Sequence, residues 1–579
     1  MKKLSLFLLL ALCLFSCREE VDIMETPSGP EPKIVVNGSV FGQVLDQEGN
    51  ALADATVIFQ NQSSVSDEYG IFSFTDTNLF QDGTYVRVQK EGYITGSRLF
   101  YPEVNETSHI VVQLIQKNII DVVPATTGGM VSFDGATVTF PANGFVNDDG
   151  SDYTGNVNVI AKWLNPEAPE TFNEMPGDLV GINSDNQARA LATYGMIAVE
   201  LEDQSGNHLQ LKDGFTADIQ VPVPAAMQAN APSEIPLWHF DMESGYWIEE
   251  GSAQLINGIY EGEVSHFSFW NCDAPFPLIQ LSGIVTINNQ GLENVKIRIT
   301  DQSSGFSGCG YTTSRGFFSG KVPQDQTLTL EVIDDCGNVI YTDSNVGPFS
   351  TDQMLPLITI SNNNNPVTIS GTVDNCLGTT INNSYVLVQF DNGSTKNYQV
   401  EANGTFSFTI INCNSGTATI YGVDLTNDLI SAGVVIDLNQ DINVGTLEAC
   451  DEHIADKFII DYAGSTWNNT SDSLAYSYQT QIFNDKVIYQ ITGLNWTNSQ
   501  VTNIAFALEN GATTANWTGD FADVGFTCNG MDAEAGIKVN NLGQSYLFIS
   551  GSTTDITVTN SSLFNTAITE IIVNINIPL

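Results

Sequence analysis

The chain has 579 residues, enough for about four domains by the usual length prior. Its 67 acidic against 19 basic residues give a formal charge of −48, a field that repels phosphate backbones and anionic lipid and so argues against nucleic acid as a partner. With 42% apolar residues and acids dispersed among β-branched ones, the charge belongs to a solvated surface and not to a disordered chain.

Lys2 and Lys3 precede an almost unbroken apolar run from Leu4 to Leu14, followed by Phe15, Ser16 and Cys17. That order predicts a secretory signal peptide over 1–16, its apolar run being shorter than the about 20 residues that span a bilayer. The ending resembles the lipobox of bacterial lipoproteins. The resemblance implies acylation of Cys17 and the outer membrane as a partner through an N-terminal lipid anchor; cleavage nearby without lipid is the alternative. Arg18, Glu19, Glu20 and Asp22 resemble the short acidic signal that sends some Gram-negative lipoproteins to the cell surface. Residues 25–33 are Pro-rich without apolar periodicity, so 17–33 reads as an extended linker.

From Gly38 onward a pattern occurs three times: a strand ending in Gly-x-Val, a turn, a second alternating strand, and a Gly-x-Phe step. The spacing from first to later glycine is 28 (Gly42 to Gly70), 33 (Gly283 to Gly316) and 33 (Gly371 to Gly404). Strand-length alternation punctuated by Gly and Asn predicts small antiparallel sandwiches over 34–117, 278–361 and 366–450. The first copy, through Gly42, Val44, Asp46, Gly49, Ala55, Val57, Asp67, Gly70, Phe72 and Lys90-Glu91-Gly92-Tyr93, resembles the carboxypeptidase regulatory-like (transthyretin-like) domain. That family implies an accessory module with no catalysis of its own.

Residues 118–273 form the largest predicted unit. Gly128-Gly129-Met130-Val131 opens a strand, and Pro141 and Gly144 mark a strand end; this beginning resembles the β-sandwich of ankyrins and netrin receptors. The whole stretch, through MPGDL (175–179), TYGMIAVEL (193–201) and SHFSFWN (265–271), is similar to the extracellular part of cartilage intermediate layer and astroprincin-like proteins, which implies binding or scaffolding. The run 236–251 predicts a hairpin around Glu243, Ser244 and Gly245; pairing Asp241 with Tyr246 sets Phe240 opposite Trp247, with Trp238 on the same face. These aromatics are either core or, with Trp163, a platform for a sugar or peptide beside the long non-strand stretch from Asn165 to Ala188. DAPFP (273–277) and SNNNNP (361–366) read as linkers, and 455–579 as a further β-domain of no recognised family. The predicted fold class is all-β: a string of antiparallel sandwiches, transthyretin- or Ig-like, behind a lipoprotein signal.

Of nine cysteines, seven lie beyond Cys17, none in a C-x-x-C pair, which argues against zinc ribbons and thioredoxin-like sites and for disulfides outside the cytoplasm. Cys309 is expected to pair with Cys336; Cys376 has Cys413 or Cys450 within reach, Cys413 being preferred. Five histidines (His109, His208, His239, His266, His453) form no H-E-x-x-H or paired spacing. His239 and His266 sit beside aromatics and read first as structural histidines, with ligand or base as the alternative. No G-x-S-x-G elbow is present, and GFFSGK (316–321) is one residue short of a phosphate loop. No cofactor is expected apart from calcium, for which Asp148, Asp149 and Asp152 around Gly150 offer hard oxygen ligands; a solvated acidic turn is the competing reading.

The leading functional expectation is a non-catalytic, lipid-anchored cell-surface protein presenting binding or adhesive surfaces to an extracellular polysaccharide or protein. A glycan-capture accessory of a nutrient-uptake system comes second. A hydrolase with its site in the C-terminal domain comes third, because paired carboxylates cannot be recognised from sequence among 67 acids.

Overall fold

The protein is described by a computed structural model that covers residues 34–450 apart from 335–336, 362–365, 392–393 and 412–415, and from residue 451 onward the backbone of the strands. Contacts divide the chain into two compact units, one comprising Met1–Ser370, Ser407–Ala418 and Asp437–Asn443, the other Gly371–Phe406, Thr419–Ile436 and Val444–Leu579. The fold is nearly all β, as the alternation predicts; the short helix Thr171–Glu174 is the one α-helix among the described residues. Among those residues no helix is long and apolar enough to cross a membrane.

The first module stacks two sheets. Val35–Leu45 is the centre of one, antiparallel to Ile71–Phe80 and parallel to Thr107–Gln113. The other runs Gln62–Val65, Thr56–Phe59, Thr84–Gln89, Gly96–Phe100. Alternate residues of the facing strands, among them Val40, Val44, Val57, Phe59, Phe72 and Val88, fill the space between. The second module repeats the plan. Leu278–Ile287 lies between Phe317–Pro323 and two short parallel strands, Gln353–Met354 and Ile358–Thr359. Its other sheet runs Ser307–Tyr311, Lys296–Asp301, Leu328–Ile333, Val339–Val346. In the third, Pro366–Asn375 lies between Thr405–Ile411 and Ile442–Ala449.

The repeated Gly-x-Val and Gly-x-Phe steps have one physical cause in all three copies. The later glycine turns through the left-handed region, with φ of +71° at Gly70, +79° at Gly316 and +80° at Gly404. Its carbonyl accepts from the valine amide of the first strand at 2.8 Å each time: Val44, Val285 and Val373. A Cβ on Gly70 or Gly316 would lie 2.2 Å from that valine's own carbonyl oxygen, so glycine is required both for the turn and for the approach. The earlier glycine leaves room for the phenylalanine two residues past the turn: a Cβ on Gly42, Gly283 or Gly371 would stand 2.2, 2.6 or 2.7 Å from the ring of Phe72, Phe318 or Phe406. The motif is therefore a single packing unit, ring on bare backbone beside a turn.

The central module is one branched sheet of thirteen strands that curls around its core. Its hub is the 15-residue strand Ala188–Glu202. This strand pairs with Asn156–Leu164, Val180–Ile182, His208–Leu211 and Phe269–Phe276. Val138, Phe145, Ile197, Leu237, Tyr260 and Trp270 are in the enclosed core. The predicted hairpin forms with the expected register, Asp241 opposite Tyr246 and Phe240 opposite Trp247.

Three expectations are corrected. DAPFP is not a linker: Phe269–Phe276 is a strand pairing with the hub through Ala190 opposite Phe276, and Leu278 opens the next strand. Ladder hydrogen bonds to the hub hold this Pro-containing stretch extended. Cys309 is a free thiol and not half of a bridge to Cys336. It sits opposite Arg298, and Arg298 opposite Glu331, so the strand Lys296–Asp301 separates Cys309 from the strand leading to Cys336. Cys336 itself lies outside the described residues. Cys376 bonds Cys450, not Cys413. The strands that end at Asn375 and Ala449 are neighbours in one sheet, which sets the two Cα atoms 5.0 Å apart, within disulfide reach. Cys413 lies outside the described residues.

In the C-terminal stretch, Lys457–Tyr462 runs parallel to Glu570–Ile575, and Leu474–Phe483, Lys486–Asn495 and Gln500–Glu509 form a meander.

Non-reducing peptide mapping should return a Cys376–Cys450 cross-linked pair and an alkylatable Cys309. Because the bridge closes a loop of 74 residues, Cys450→Ala should lower the stability of the third module by about 4 kcal/mol in the chain-entropy account, read as an earlier denaturant midpoint.

Candidate functional site

The expected non-strand stretch from Asn165 to Ala188 is broken by the strand Val180–Ile182, which pairs with the hub. What remains, 165–179, is the longest interruption between strands in the central module, and its role depends on Arg98 of the first module. Arg98 is buried at the end of the first module's second sheet. Its guanidinium donates to the carbonyl of Gly177 at 3.2 Å, of Phe172 at 2.6 Å and of Asn173 at 3.0 Å, and lies 4.8 Å from the centre of the Phe172 ring. Burial lowers its pKa to about 10, with Asp178 acting to raise it, so it stays cationic at neutral pH. The buried carboxyl of Asp178 is pushed up by desolvation against the opposing pull of the Leu179 amide and Arg98. Burial likewise pushes the Tyr101 hydroxyl well above its usual range.

The MPGDL segment is shaped for this docking. Gly177 has φ +67°, and a Cβ there would lie 2.5 Å from the Phe240 ring. Its amide reaches the Ser97 hydroxyl at 3.1 Å, and the Asp178 carbonyl accepts from the Trp247 indole at 3.1 Å. The tip of the 241–246 hairpin docks on the first module too: Tyr85 donates to the Met242 carbonyl at 3.2 Å, and a Cβ on Gly245 would strike the Tyr85 ring at 2.6 Å. Ile94 and Ile115 of the first module share one apolar cluster with Leu179, Trp238, Phe240 and Trp247. A second joint ties the first module to the second, with His109 Nε2 3.0 Å from Glu293 Oε1 and Ser314 donating its amide to the Thr107 carbonyl at 3.1 Å.

Where these joints meet, a cleft of about 160 Å³ opens, lined by Arg98, Tyr101, Asp178, Cys309, Tyr311 and Lys321 among others. That volume is below the roughly 300 Å³ at which small-molecule sites begin, and the three donor contacts of Arg98 go to backbone carbonyls. The cleft is a packing seam. The Cys309 thiol beside it, like that of buried Cys272, is pushed up by desolvation, which disfavours the thiolate that a cysteine nucleophile needs.

The expected ligand-binding aromatics are corrected. Trp238 and Trp247 have no exposed surface, and their indole N–H groups are satisfied by the carbonyls of Asp273 and Asp178. They form the core of the joint, because their face of the hairpin is covered by another module. Trp163 is half-buried against the central core, opposite Ile197, and its indole nitrogen is enclosed. No platform forms from the three. The calcium candidates do not converge either. Asp148 turns to His208 Nδ1 at 2.7 Å, Asp149 accepts from the Ser151 amide at 2.9 Å, and Asp152 pairs with Lys212 at 2.6 Å. Each carboxylate has its own partner across or within the turn, which leaves no shared ligand sphere. Lipidation at Cys17 and a hydrolase site in 455–579 concern positions whose side chains lie outside the described residues.

The site that sequence reading missed is the Arg98 joint itself. Its one legible trace is an arginine inside an apolar strand (GSRLF, 96–100), in a chain with few basic residues. Two outcomes test the joint. Trp238→Ala and Trp247→Ala should each cost about 3–5 kcal/mol and shift the cooperative melt. Arg98→Met, which leaves three carbonyls unpaired, should lose about 3 kcal/mol and open 165–188 to limited proteolysis, with Arg98→Lys failing to restore protection because an ammonium cannot span the fork.

No family model matches the chain. Part of it is similar to curated relatives: cartilage intermediate layer protein 2 of Mus musculus (30% identical over 155 residues, 25% of this chain and 13% of that protein) and cartilage intermediate layer protein 1 of Sus scrofa (30% over 118 residues, 20% and 19%). The chain thus spans less than a fifth of the length of these relatives. Among solved structures, the shaft pilin SpaA of Lactobacillus rhamnosus GG aligns with 31% of this chain and all of its own at 7% identity and a TM-score of 0.17, too low to carry an argument.

Proposed function

We propose that the chain is a non-catalytic cell-surface scaffold, tethered to the outer membrane by lipid on Cys17, that presents its β-modules to an extracellular polysaccharide or protein. The observation that supports this most is the pair of buried joints made by Arg98 and by His109 with Glu293. A chain of independent modules on flexible linkers would not bury an arginine and a histidine between neighbours. Burial of this kind fixes one module against the next, which is useful for holding a binding face at a set distance from a membrane. The cleft between the modules is lined by groups engaged in packing, Arg98 among them, which supports the non-catalytic part of the reading. The partial similarity to cartilage intermediate layer proteins, named for a tissue layer, is in keeping with a scaffold.

The tether and the binding role are tested separately. Cys17→Ser in the full chain should move the protein from the membrane to the soluble fraction and from the detergent to the aqueous phase; unchanged partitioning removes the lipid anchor. The binding role predicts saturable retention of intact cells, or of the purified full chain, on an immobilised polysaccharide or matrix-protein array. Turnover of a glycan or peptide substrate that disappears on changing one carboxylate would replace the scaffold by an enzyme.

A further inference from the structure

Away from the joint, the central module brings together three groups separated in sequence by up to 27 positions: His239, Glu250 and His266. His239 lies on Glu234–Asp241, Glu250 on the partner strand Tyr246–Ile256, and His266 in the bend before Phe269–Phe276. Their ligand atoms all lie within 4.8 Å of one another. Glu250 Oε2 stands 3.6 Å from His239 Nε2 and 3.6 Å from His266 Nε2. Those separations are too long for good hydrogen bonds, so the carboxylate does not join the imidazoles directly. They are close to the roughly 3.3–3.5 Å edges of a tetrahedron whose centre lies about 2.0–2.2 Å from nitrogen and oxygen ligands.

The arrangement is a consequence of backbone construction. The ladder between the two strands slips between Pro236 opposite Ser252 and Trp238 opposite Glu249, so Leu237 faces two residues, Glu250 and Gly251. Gly251, at φ +81°, supplies the left-handed turn of this bulge, and a bulge re-aims the side chain beside it. Glu250 is further set by Ser265, whose hydroxyl donates to Oε1 at 2.6 Å and leaves Oε2 toward the histidines. His266 is set by Trp270, whose indole donates to its carbonyl at 2.9 Å. The two imidazoles meet edge to face with centroids 4.6 Å apart, and both pack on the Trp270 ring. Side-chain exposures of 19%, 30% and 42% for His239, His266 and Glu250 leave the cluster reachable from solvent.

We infer that His239, Glu250 and His266 form a binding site for one divalent transition-metal cation of the zinc type, held by two imidazole Nε2 atoms and one carboxylate oxygen with water in the remaining position. Two nitrogens and one oxygen select a borderline cation over calcium or magnesium, which take all-oxygen spheres. The strongly acidic surface would raise the local concentration of any such cation. Bound metal would link three segments of the central module at its solvent face, and the open position could accept a ligand from a partner surface.

The test is titration of the metal-free full chain, in detergent, with zinc chloride by calorimetry, and with cobalt chloride by its visible absorption. The expected result is one equivalent bound at micromolar Kd or tighter, with cobalt bands of four- or five-coordinate intensity. His239→Ala, His266→Ala and Glu250→Gln should each weaken binding at least about tenfold. His208→Ala, Cys309→Ser and Asp149→Asn should leave it unchanged. Glu250→Gln removes the charge on a solvent-facing group with its volume kept, and circular dichroism confirms that each variant is folded. Calcium chloride in place of zinc should give no saturable heat. Absence of stoichiometric zinc binding, or binding that survives the three cluster substitutions and disappears in His208→Ala or Cys309→Ser, overturns the inference.

Discussion

A cation buried between two modules constrains this protein more than any other contact. Moving a guanidinium out of water costs several kcal/mol, and it is tolerated where its donors are taken. Arg98 meets that condition with three carbonyls of one turn, Phe172, Asn173 and Gly177, and with the Phe172 ring. The geometry works in both directions. These carbonyls, at the end of the short helix and at Gly177, take the Arg98 donors, so that 165–188 and the edge strand of the first module satisfy each other. With this go the left-handed conformation of Gly177 and the closing of the Trp238 and Trp247 face under Ile94 and Ile115.

The acids divide by environment. Several aspartates sit in turns where the carboxylate accepts from backbone amides two to four residues on, as Asp46 does from Glu48 and Asn50, and Asp203 from Ser205 and Asn207. These Asx-type turns punctuate a chain that must reverse direction dozens of times, and they carry the negative charge outward. Asp301 and Asp424 make the same turns in buried positions, and Asp273 is a different case. Asp273 has no exposed surface, sits in a network with Asn271 and Thr193, and has its pKa raised well above the ordinary value by desolvation. It lies next to the free thiol of Cys272, on the strand that the sequence marks as a linker.

Two polar clusters of the central module show how the same residue types reach different ends. At 147–152 each acid has a partner of its own, the His208 ring, the Ser151 amide or the Lys212 ammonium, and the charges are used up pairwise. At His239, Glu250 and His266, a bulge and two fixed neighbours aim three groups at one point without joining them. A ligand sphere requires convergence, and convergence depends on backbone shape more than on composition.

The sequence by itself determined the all-β class, the three repeated sandwiches and the 241–246 hairpin. Alternation and the αL glycine turn are local constraints, and the ring-on-glycine contact recurs at a near-constant spacing, so the motif repeats legibly at Gly70, Gly316 and Gly404. The role of the hairpin's aromatic face was open, because a period-two pattern reads the same whether solvent, a ligand or another module covers that face; the docking of the first module decided it. Likewise, 273–277 has linker composition, and the ladder with Ala188–Glu202 makes it strand. Cys376 had two candidate partners along the chain, and strand adjacency chose Cys450. Arg98 with its turn, and His239 with Glu250 and His266, needed segments that no local rule connects, so tertiary structure alone could bring them together.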